Sequence, residues 1–320
     1  MKKEPGLKVD VLIPVYKPDK TFSRLLQMLK QQTYPINRII VMNTEERYWD
    51  QAGFLPVEGL EVHHVTKEDF DHGGTRNLAA GYSQGEIMIF MTDDAVPRDR
   101  YLVERLVEAL EQKGPAGETV AMAYGRQMPR KDCRTIERYT RNFNYPDCRA
   151  VKTLRDLPRL GIKTYFASNV CCAYRKEIFE DLHGFIHSTI FNEDMIYGAG
   201  VIKAGYAIAY EPGAMVIHSH NLTAVEQFCR NFDLAVSQAD HPEVFEGLPS
   251  EGEGIRMVKQ TAAWLMRTGR FWLLPSLVMV SGCKYLGYLT GKRYKSLPRQ
   301  VILTCTMNRQ YWERKWRQCT

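Results

Sequence analysis

The chain has 320 residues, of which 44% are apolar and 25% charged, with a formal net charge of +6. These values are those of an ordinary folded protein with one large domain or two small ones, and they exclude a disordered chain. The eight cysteines form no CxxC pair, so nothing indicates a zinc ribbon or a redox site. No segment resembling the apolar core of a secretory signal peptide precedes the first predicted strand, and we therefore expect a cytoplasmic protein.

The basic residues are concentrated near the C-terminal end. Residues 284–320 carry nine Lys or Arg and one acid, a balance of +8 that leaves about −2 for the first 283 residues. The apolar run 271–282 before them is too short to span a bilayer, whose core needs roughly 20 apolar residues. This pattern is typical of a helix lying against an anionic membrane, although a core helix with a solvated basic end has the same pattern. Because the sequence has no recognised nucleic-acid-binding motif, we expect no nucleic acid partner.

Apolar and turn patterns predict an α/β fold. The first half alternates strand-like and helix-like segments, as in a parallel or mixed sheet covered by helices. We predict one catalytic domain, residues 1–230, followed by a helical, basic extension, residues 231–320, with acceptor-side loops over 127–163. In chain order the predicted elements are strand 9–15, helix 19–32, strands 38–42 and 60–65, helix 75–83, strand 86–91, helix 101–112, strands 120–124 and 167–174, helix 192–204, strands 207–210 and 214–217, and helices 222–239 and 254–268.

Two adjacent carboxylates, Asp93 and Asp94, directly follow the strand predicted over 86–91. Open α/β sheets bind ligands beyond the carboxyl ends of their strands. With no Lys or Arg before Arg98, these carboxylates repel each other unless a cation or solvent screens them. A divalent metal that holds a diphosphate is the economical interpretation, and a simple turn cap is the alternative.

The segment DFDHGGTRN, residues 69–77, places two glycines before a predicted helix whose first turn carries Arg76. The free N–H groups and positive dipole end of such a helix start suit a phosphate or a sugar-nucleotide anion. A plain loop-to-helix junction is the alternative.

Two later segments also carry titratable groups. Glu193 and Asp194 stand at a predicted helix start, where the helix dipole favours acids, and one of them is a candidate general base for an incoming hydroxyl. His218 and His220 follow a predicted strand and share a face in extended chain. Because neutral imidazole is a common metal ligand, His218 is a candidate ligand, with a structural role as the alternative.

Taken in this order, the segments resemble the inverting family 2 glycosyltransferases of the GT-A fold. The resemblance runs from about Val9 to His220. Within that family the chain most resembles bacterial rhamnosyltransferases, through FDHGGTRN at 70–77, TDDAVP at 92–97 and SNVCCAYRKEIF at 168–179.

The resemblance implies a Rossmann-like mixed sheet flanked by helices, with a C-terminal helical extension. It implies inverting transfer of a sugar, L-rhamnose from dTDP-β-L-rhamnose, to a hydroxyl of a lipid-linked cell-surface polysaccharide precursor at the inner face of the membrane. The implied cofactor is Mg²⁺ or Mn²⁺. The implied site residues are Pro14, Val15, Tyr16, Asn43, Thr44, Gly73, Arg76 and Asp93 for the donor, Asp94 and His218 for the metal, and Asp194 as the base with Glu193 beside it.

The chain departs from the family pattern at two places. Many relatives carry, after the second strand, an Asp that recognises the nucleotide base of the donor. This chain has Asn43, Thr44 and Glu45 there, and Asn43 or Glu45 is the expected substitute. Ala95 stands where the common metal motif has a third acid, which weakens the case for metal dependence without removing it.

Three alternatives stay open at this point. One is a family 2 enzyme with a UDP-hexose donor. Another is a non-catalytic sugar-nucleotide-binding subunit, which the joint presence of Asp94, Asp194, Arg76 and His218 argues against. A nucleotidyltransferase ranks last, because its triphosphate would need a Gly- and basic-rich loop where this chain has PVYKPDK.

Overall fold

The structure, a computed structural model, describes residues 6–50, 58–248 and 251–318. These residues fold as two compact units. The first comprises the described residues up to Met128, with Tyr145–His187 and Glu193–His218, and the second comprises Pro129–Asn144, Ser188–Asn192 and the described residues from Ser219 onward. Residue 230 falls inside a helix of the second unit, and the division of the chain into domains at that point remains a prediction.

A mixed sheet forms the centre of the first unit. The inner strand with the sequence IMIFM is wholly apolar and buried, because helices cover both faces of such a sheet. In chain order the strands are β1 (Val9–Tyr16), β2 (Arg38–Thr44), β3 (Leu60–Val65), β4 (Ile87–Met91), β5 (Val96–Pro97), β6 (Val120–Met128), β7 (Ala150–Lys152), β8 (Cys171–Arg175) and β9 (Ala207–Ile217).

Helices flank this sheet within the first unit, and other helices form most of the second unit. α1 starts where Asp19 accepts the backbone N–H groups of Thr21 and Phe22, at 2.7 and 3.3 Å, and its apolar face joins the core. In chain order the helices are α1 (Lys20–Lys30), α2 (His72–Tyr82), α3 (Leu102–Glu111), α4 (Thr135–Asn144), α5 (Leu157–Leu160), α6 (Lys176–Asp181), α7 (Glu193–Lys203), α8 (Ala224–Asp240), α9 (Pro242–Phe245), α10 (Glu251–Arg267), α11 (Leu274–Lys292), α12 (Arg299–Cys305) and α13 (Arg309–Gln318).

The order of the strands brings several chain segments to one edge of the sheet. β3, β2, β1 and β4 are parallel neighbours, so their carboxyl ends lie at the same edge. β8 runs antiparallel to β4 with Met91 opposite Cys171, and it therefore begins where β4 ends. β5 pairs with the end of β9, Val96 opposite Ile217, which places the turn after β4 beside His218.

The elements differ from the predicted ones in several respects, and β8 begins at Cys171 rather than at residue 167. β9 is one strand rather than two, because the pairing of β6 with β9 shifts register and lets Pro212 and Gly213 bulge out without ending the strand. The region predicted as loops, 127–163, contains α4, β7 and α5 as well. α6, α12 and α13 were not predicted, because they are short or lack a clear apolar period.

The second unit is built on the close packing of α11 against α8. A Cβ atom at Gly287 would lie 2.2 Å from the carbonyl oxygen of Phe228, and one at Gly291 would lie 2.3 Å from that of Phe232. The end of the basic C-terminal segment packs on α8 as well, since Trp312 is only 1% exposed and joins the apolar cluster that contains Phe232 of α8. The glycines of α11 therefore allow two helix backbones to approach closely.

Within the described ranges, we find no helix that is both long enough and apolar enough to cross a membrane.

The contact between α8 and α11 can be tested with two glycine variants. Gly287→Ala should lower the melting temperature, because overpacking of this kind costs about 1 to 3 kcal/mol. Gly282→Ala in the same helix is the matched control, since a Cβ there meets no atom within 4 Å and alanine favours a helix by about 1 kcal/mol. Thermal melts followed by circular dichroism measure both variants, and equal melting temperatures would contradict the close contact.

Candidate active site

The ends of β1 and β2 form one side of the candidate site. Val15 lies opposite Asn43 in the parallel ladder, and Tyr16 lies opposite Thr44, with Pro14 one step earlier. The Oδ1 atom of Asn43 and the Oγ1 atom of Thr44 are buried and have no hydrogen-bond partner within the described part of the chain. Because an unpaired buried polar atom costs about 1 to 3 kcal/mol, these atoms indicate a place for a polar ligand.

Asn43 and Glu45 are the two expected substitutes for the Asp that recognises the nucleotide base, and Asn43 is the one with a side-chain oxygen that has no hydrogen-bond partner within the described residues. The Asn43 amide nitrogen donates to the carbonyl of Glu45 at 3.0 Å, which leaves its oxygen available. The carboxylate of Glu45 accepts the backbone N–H of Lys67 at 2.7 Å and pairs with Arg47 at 2.9 Å. Glu45 therefore organises the loops after β2 and β3.

Two aromatic rings with two nearby cations lie at the end of β1 and just beyond the end of β2. Tyr16 is 41% exposed and meets Tyr48 edge to face, with ring centroids 5.6 Å apart. The Lys17 ammonium lies 5.3 and 4.8 Å from these two ring centres, and that of Lys67 lies 5.9 Å from the Tyr16 ring. Sequence reasoning missed both lysines, because they come together only when the ends of β1 and β3, on either side of β2, meet at the same edge of the sheet.

The acidic turn after β4 lies directly beside this pair. Asp93 accepts the backbone N–H of Tyr16 at 3.3 Å, and Thr92 donates its hydroxyl to Asp94 at 2.9 Å. Burial, together with the negative charges of Asp94 and Asp19, raises the pKa of Asp93 to about 6 against the lowering effect of the Tyr16 N–H. A positive charge in this turn would therefore stabilise the ionised carboxylates.

Asp94 and His218 meet across the pairing of β5 with β9, with 3.4 Å between Asp94 Oδ2 and His218 Nε2. The other ring nitrogen, Nδ1, lies 3.0 Å from Gln127 Oε1. The Gln127 amide nitrogen donates to the hydroxyls of Tyr145 and Ser168, at 2.6 and 3.0 Å, so its oxygen must face the imidazole. We assign the imidazole proton to Nδ1 on this network, which leaves the lone pair of Nε2 directed at Asp94.

This ligand set fits a divalent cation. Neighbouring ligands of an octahedral Mg²⁺, each about 2.1 Å from the ion, lie about 3 Å apart, close to the separation of the two ligand atoms here. Carboxylate oxygen suits Mg²⁺ and Mn²⁺, and a neutral imidazole held by a second polar group is a frequent additional ligand. Gln127 was not predicted, because only the tertiary fold brings it to His218.

Asn169 holds the two acids at the start of α7. Its amide nitrogen donates to Glu193 Oε1 at 3.2 Å, and its backbone N–H donates to Asp194 Oδ2 at 3.1 Å. The Tyr174 hydroxyl donates to the Asn169 amide oxygen at 2.7 Å and thereby fixes the amide orientation. Arg76 forms a buried ion pair with Glu193, with 3.2 Å between Nη1 and Oε1. The only sequence signal for Asn169 was its place in the segment 168–179.

The two acids have opposite pKa shifts. Burial and the negative charge of Glu193 raise the pKa of Asp194 to about 7. Burial also disfavours ionisation of Glu193, but Arg76, His72 and the Asn169 amide outweigh it and lower the pKa of Glu193. Adjacent carboxyl groups with separated pKa values are typical of acid–base sites, and Asp194 has the value expected of a general base near neutral pH.

The helix start in the segment 69–77 differs from the predicted one. α2 begins at His72, three residues before the predicted start, because Asp71 caps it by accepting the N–H of Gly74 at 2.7 Å. The glycines therefore lie inside the first turn, and the cap uses one of the N–H groups expected to face a phosphate.

Residues of α2 hold the segment that leads towards the acidic pair. A Cβ atom at Gly73 would lie 1.9 Å from the carbonyl oxygen of Ile186, so only glycine permits this approach. Asn77 donates to the Phe185 carbonyl at 2.7 Å and accepts the Phe185 N–H at 2.9 Å. With the ion pair of Arg76, these contacts position Glu193. A donor-binding role for Gly73 and Arg76 remains a prediction.

All the predicted site residues lie in the first unit, and contacts join many of them. The acidic turn is linked to Tyr16 on one side and to His218 on the other. The N–H of Thr92 also donates to the carbonyl of Val170 at 3.3 Å, which places the loop of Asn169 beside that turn. The geometry therefore brings a candidate nucleotide pocket, a candidate metal site and a candidate base to one edge of the sheet.

Comparison with known proteins identifies the family. Residues 10–183 match the family described as "Glycosyl transferase family 2". The chain belongs to glycosyl transferase family 2. It is 36% identical over 310 residues to the O-antigen chain rhamnosyltransferase RfbN of Salmonella typhimurium, with 96% of each chain covered. It is 38% identical over 307 residues to the O-antigen chain rhamnosyltransferase WbaN of Salmonella anatum, with 94% of this chain and 95% of that protein covered.

The fold of this glycosyltransferase is shared with a solved structure. The mannosyltransferase PcManGT from Pyrobaculum calidifontis, in complex with GDP-Man and Mn²⁺, matches with a TM-score of 0.60 and 16% identity, over 92% of this chain and 89% of that one. A likeness at this identity establishes the fold alone. The predictions of the family and of a GT-A fold with C-terminal helices are confirmed.

The charge relation between the two acids of this glycosyltransferase can be tested with Glu193→Gln. Without the negative charge of Glu193, and with Arg76 left uncompensated, the pKa of Asp194 should fall. A general base must be deprotonated to act, so with Asp194 as the candidate base the acidic limb of the kcat profile should move to lower pH by about one unit. Rates between pH about 5 and about 9 measure this shift. Glu177→Gln, an exposed change in α6, is the control, and an unmoved limb in Glu193→Gln would rule out the coupling.

Proposed function

We propose that this glycosyltransferase transfers L-rhamnose from dTDP-β-L-rhamnose to a hydroxyl of an O-antigen type polysaccharide precursor, with inversion at the anomeric carbon. The similarity over nearly the whole chain to two O-antigen chain rhamnosyltransferases carries this proposal. The arrangement at the sheet edge supports it, because it supplies the three functions that a single displacement needs: a nucleotide pocket, a place for a cation and a base.

The donor lies along the ends of β1 and β2 in this proposal. Pro14, Val15 and Tyr16 line the nucleotide pocket, and the unpaired oxygen atoms of Asn43 and Thr44 face the nucleoside. The lysines at Tyr16 and the Nε atom of Arg76, which has no hydrogen-bond partner within the described ranges, supply positive charge for the diphosphate. The proposed places of the remaining donor residues are Asp93 near the ribose or the water shell of the metal, and Gly73 near the diphosphate.

Asp94 and His218 hold the divalent cation, Mg²⁺ or Mn²⁺, in this proposal. The support from this structure is the 3.4 Å separation of their ligand atoms and the direction of the His218 lone pair. When bound, the cation supplies positive charge against the charge that develops on the departing nucleoside diphosphate.

Asp194 acts as the base. Its carboxylate accepts the proton of the acceptor hydroxyl while the hydroxyl oxygen forms a bond to the anomeric carbon. The bond between that carbon and the diphosphate breaks, and its electron pair leaves with dTDP. Attack from the opposite face converts a β-linked donor into an α-L-rhamnoside. Glu193 stays ionised beside Arg76, and its negative charge raises the pKa of Asp194.

The acceptor in this proposal is a lipid-linked glycan at the inner face of the cell membrane. The basic and apolar C-terminal segment supports a peripheral association of the enzyme with that surface.

Donor binding tests the proposed sugar. We expect isothermal titration to show binding of dTDP-β-L-rhamnose in the presence of Mn²⁺ and loss of that binding with EDTA, while UDP-glucose and UDP-galactose fail to bind. Binding of a UDP-sugar instead would overturn the rhamnosyl assignment and leave the family assignment intact. Binding of dTDP-rhamnose that EDTA does not affect would contradict the role of the cation in holding the donor.

Replacement of Asp194 tests the proposed base. Asp194→Asn should lower kcat by about 10² or more, because it removes the group that accepts the proton. Its affinity for dTDP-rhamnose should stay close to that of the unmodified enzyme. Asp181→Asn, an exposed change at the end of α6, serves as the control. Normal turnover in Asp194→Asn would exclude Asp194 as the base.

A further inference from the structure

The helix α11 of the second unit presents an apolar stripe to solvent. Its exposed apolar side chains form two groups separated by the exposed Gly282, and the helical repeat places both groups on one side of the helix. Phe271 and Trp272, just before the helix, are 61% and 64% exposed and extend the stripe. The helix residues of the stripe are Val278, Met279, Tyr285, Leu286 and Leu289.

The opposite side of α11 is fixed against α8. Leu277 is buried, and Gly287 and Gly291 lie against backbone carbonyl groups of α8, too close for any larger residue. Rotating the helix to hide the stripe would break these contacts. The exposed stripe is therefore a property of the folded unit, and exposed apolar surface of this extent marks an interaction site.

The chain segment that carries the stripe has charges of a single sign. Residues 254–312 contain ten Lys or Arg residues and no Asp or Glu. Nine of the ten are exposed, and only Lys284 is partly covered. Along the chain, Arg267 and Arg270 precede the stripe, and Lys292 and Arg293 follow it. The surface is thus apolar along its length and positive at both ends.

We propose that this surface binds an anionic lipid bilayer, with the apolar stripe in the interface and the flanking Lys and Arg side chains at the lipid headgroups. Two copies of the chain facing each other through this surface would bring like charges together. Nucleic acid would satisfy the charges and leave the apolar stripe in water. An anionic bilayer satisfies both, because interfacial helices bury an apolar face while their basic residues meet acidic headgroups. The inference rests on the proposed function, since a lipid-linked acceptor requires the enzyme at the membrane.

Vesicle binding tests the proposal directly. The full chain should sediment with vesicles of phosphatidylcholine and phosphatidylglycerol at least about tenfold more strongly than with phosphatidylcholine alone, and added salt should weaken this binding. The double variant Val278→Glu, Leu286→Glu should lower the affinity by about tenfold or more, because two charges enter the stripe.

A matched control separates the stripe from charge alone. The double variant Leu78→Glu, Leu154→Glu adds the same two charges at apolar positions that are 45% and 50% exposed, in the first unit, and should bind the vesicles nearly as well as the unmodified protein. Equal loss of binding in both double variants would overturn the role of the stripe. Equal binding of neutral and anionic vesicles would overturn the role of the charges.

Fluorescence gives a second measurement that does not depend on activity. Phospholipids brominated in the acyl chain should quench Trp272, and the quenching should largely disappear in Trp272→Phe. The proposal would be overturned if the protein does not bind vesicles and instead forms reversible dimers that the double variant Val278→Glu, Leu286→Glu abolishes. That result would mean that the surface binds a second copy of the chain.

The vesicle test and the donor titration can fail independently of each other. The stripe variant should keep its affinity for dTDP-rhamnose and its turnover of a water-soluble acceptor fragment. If the unmodified protein binds anionic vesicles but not dTDP-rhamnose, the proposed donor fails and the lipid surface stands. If it binds dTDP-rhamnose but not vesicles, the lipid surface fails and the donor stands.

Discussion

The site depends on the antiparallel pairing of β8 with β4. Because Met91 lies opposite Cys171, the chain enters β8 at the point where β4 releases the acidic turn. The residue two positions before that entry is Asn169, which holds Glu193 and Asp194. A β8 strand running parallel to β4 would begin at the other edge of the sheet, far from Asp94. One strand pairing therefore places the candidate base on the same edge as the candidate metal ligands.

The charges at this edge form a coupled set. Arg76, together with His72 and the Asn169 amide, lowers the pKa of Glu193, and the negative charge of Glu193 raises the pKa of Asp194, so the surroundings of Glu193 determine which of the two neighbouring acids is the candidate base. On the other side, Gln127 fixes the imidazole tautomer of His218 and also bonds Ser168, the residue before Asn169. Hydrogen bonds thus connect the surroundings of the candidate metal ligands with those of the candidate base, and both depend on the loop before β8.

The sequence was informative where the signal is local. Apolar runs predicted the central strands, and the order of the motifs predicted the family and its fold. It was wrong at the start of α2, because the cap by Asp71 outweighed the two glycines. The roles of Asn169 and Gln127, the pairing of Arg76 with Glu193, and the two lysines at Tyr16 could not be predicted, because each depends on residues that are distant in the chain. The close approach of Gly73 to Ile186 depends on such a contact as well, so a motif that resembles a phosphate loop also serves to hold a neighbouring segment.

The central claim is that Asp94 and His218 bind one divalent cation at the edge that also carries Asp194. The most direct measurement is a crystal structure of the full chain grown with Mn²⁺ and dTDP, with data collected for the anomalous signal of manganese. The account predicts a single strong anomalous peak within about 2.4 Å of both Asp94 Oδ2 and His218 Nε2 and next to the diphosphate oxygens. A peak bound by other residues, or a bound nucleotide with no peak between this Asp and His, would contradict it.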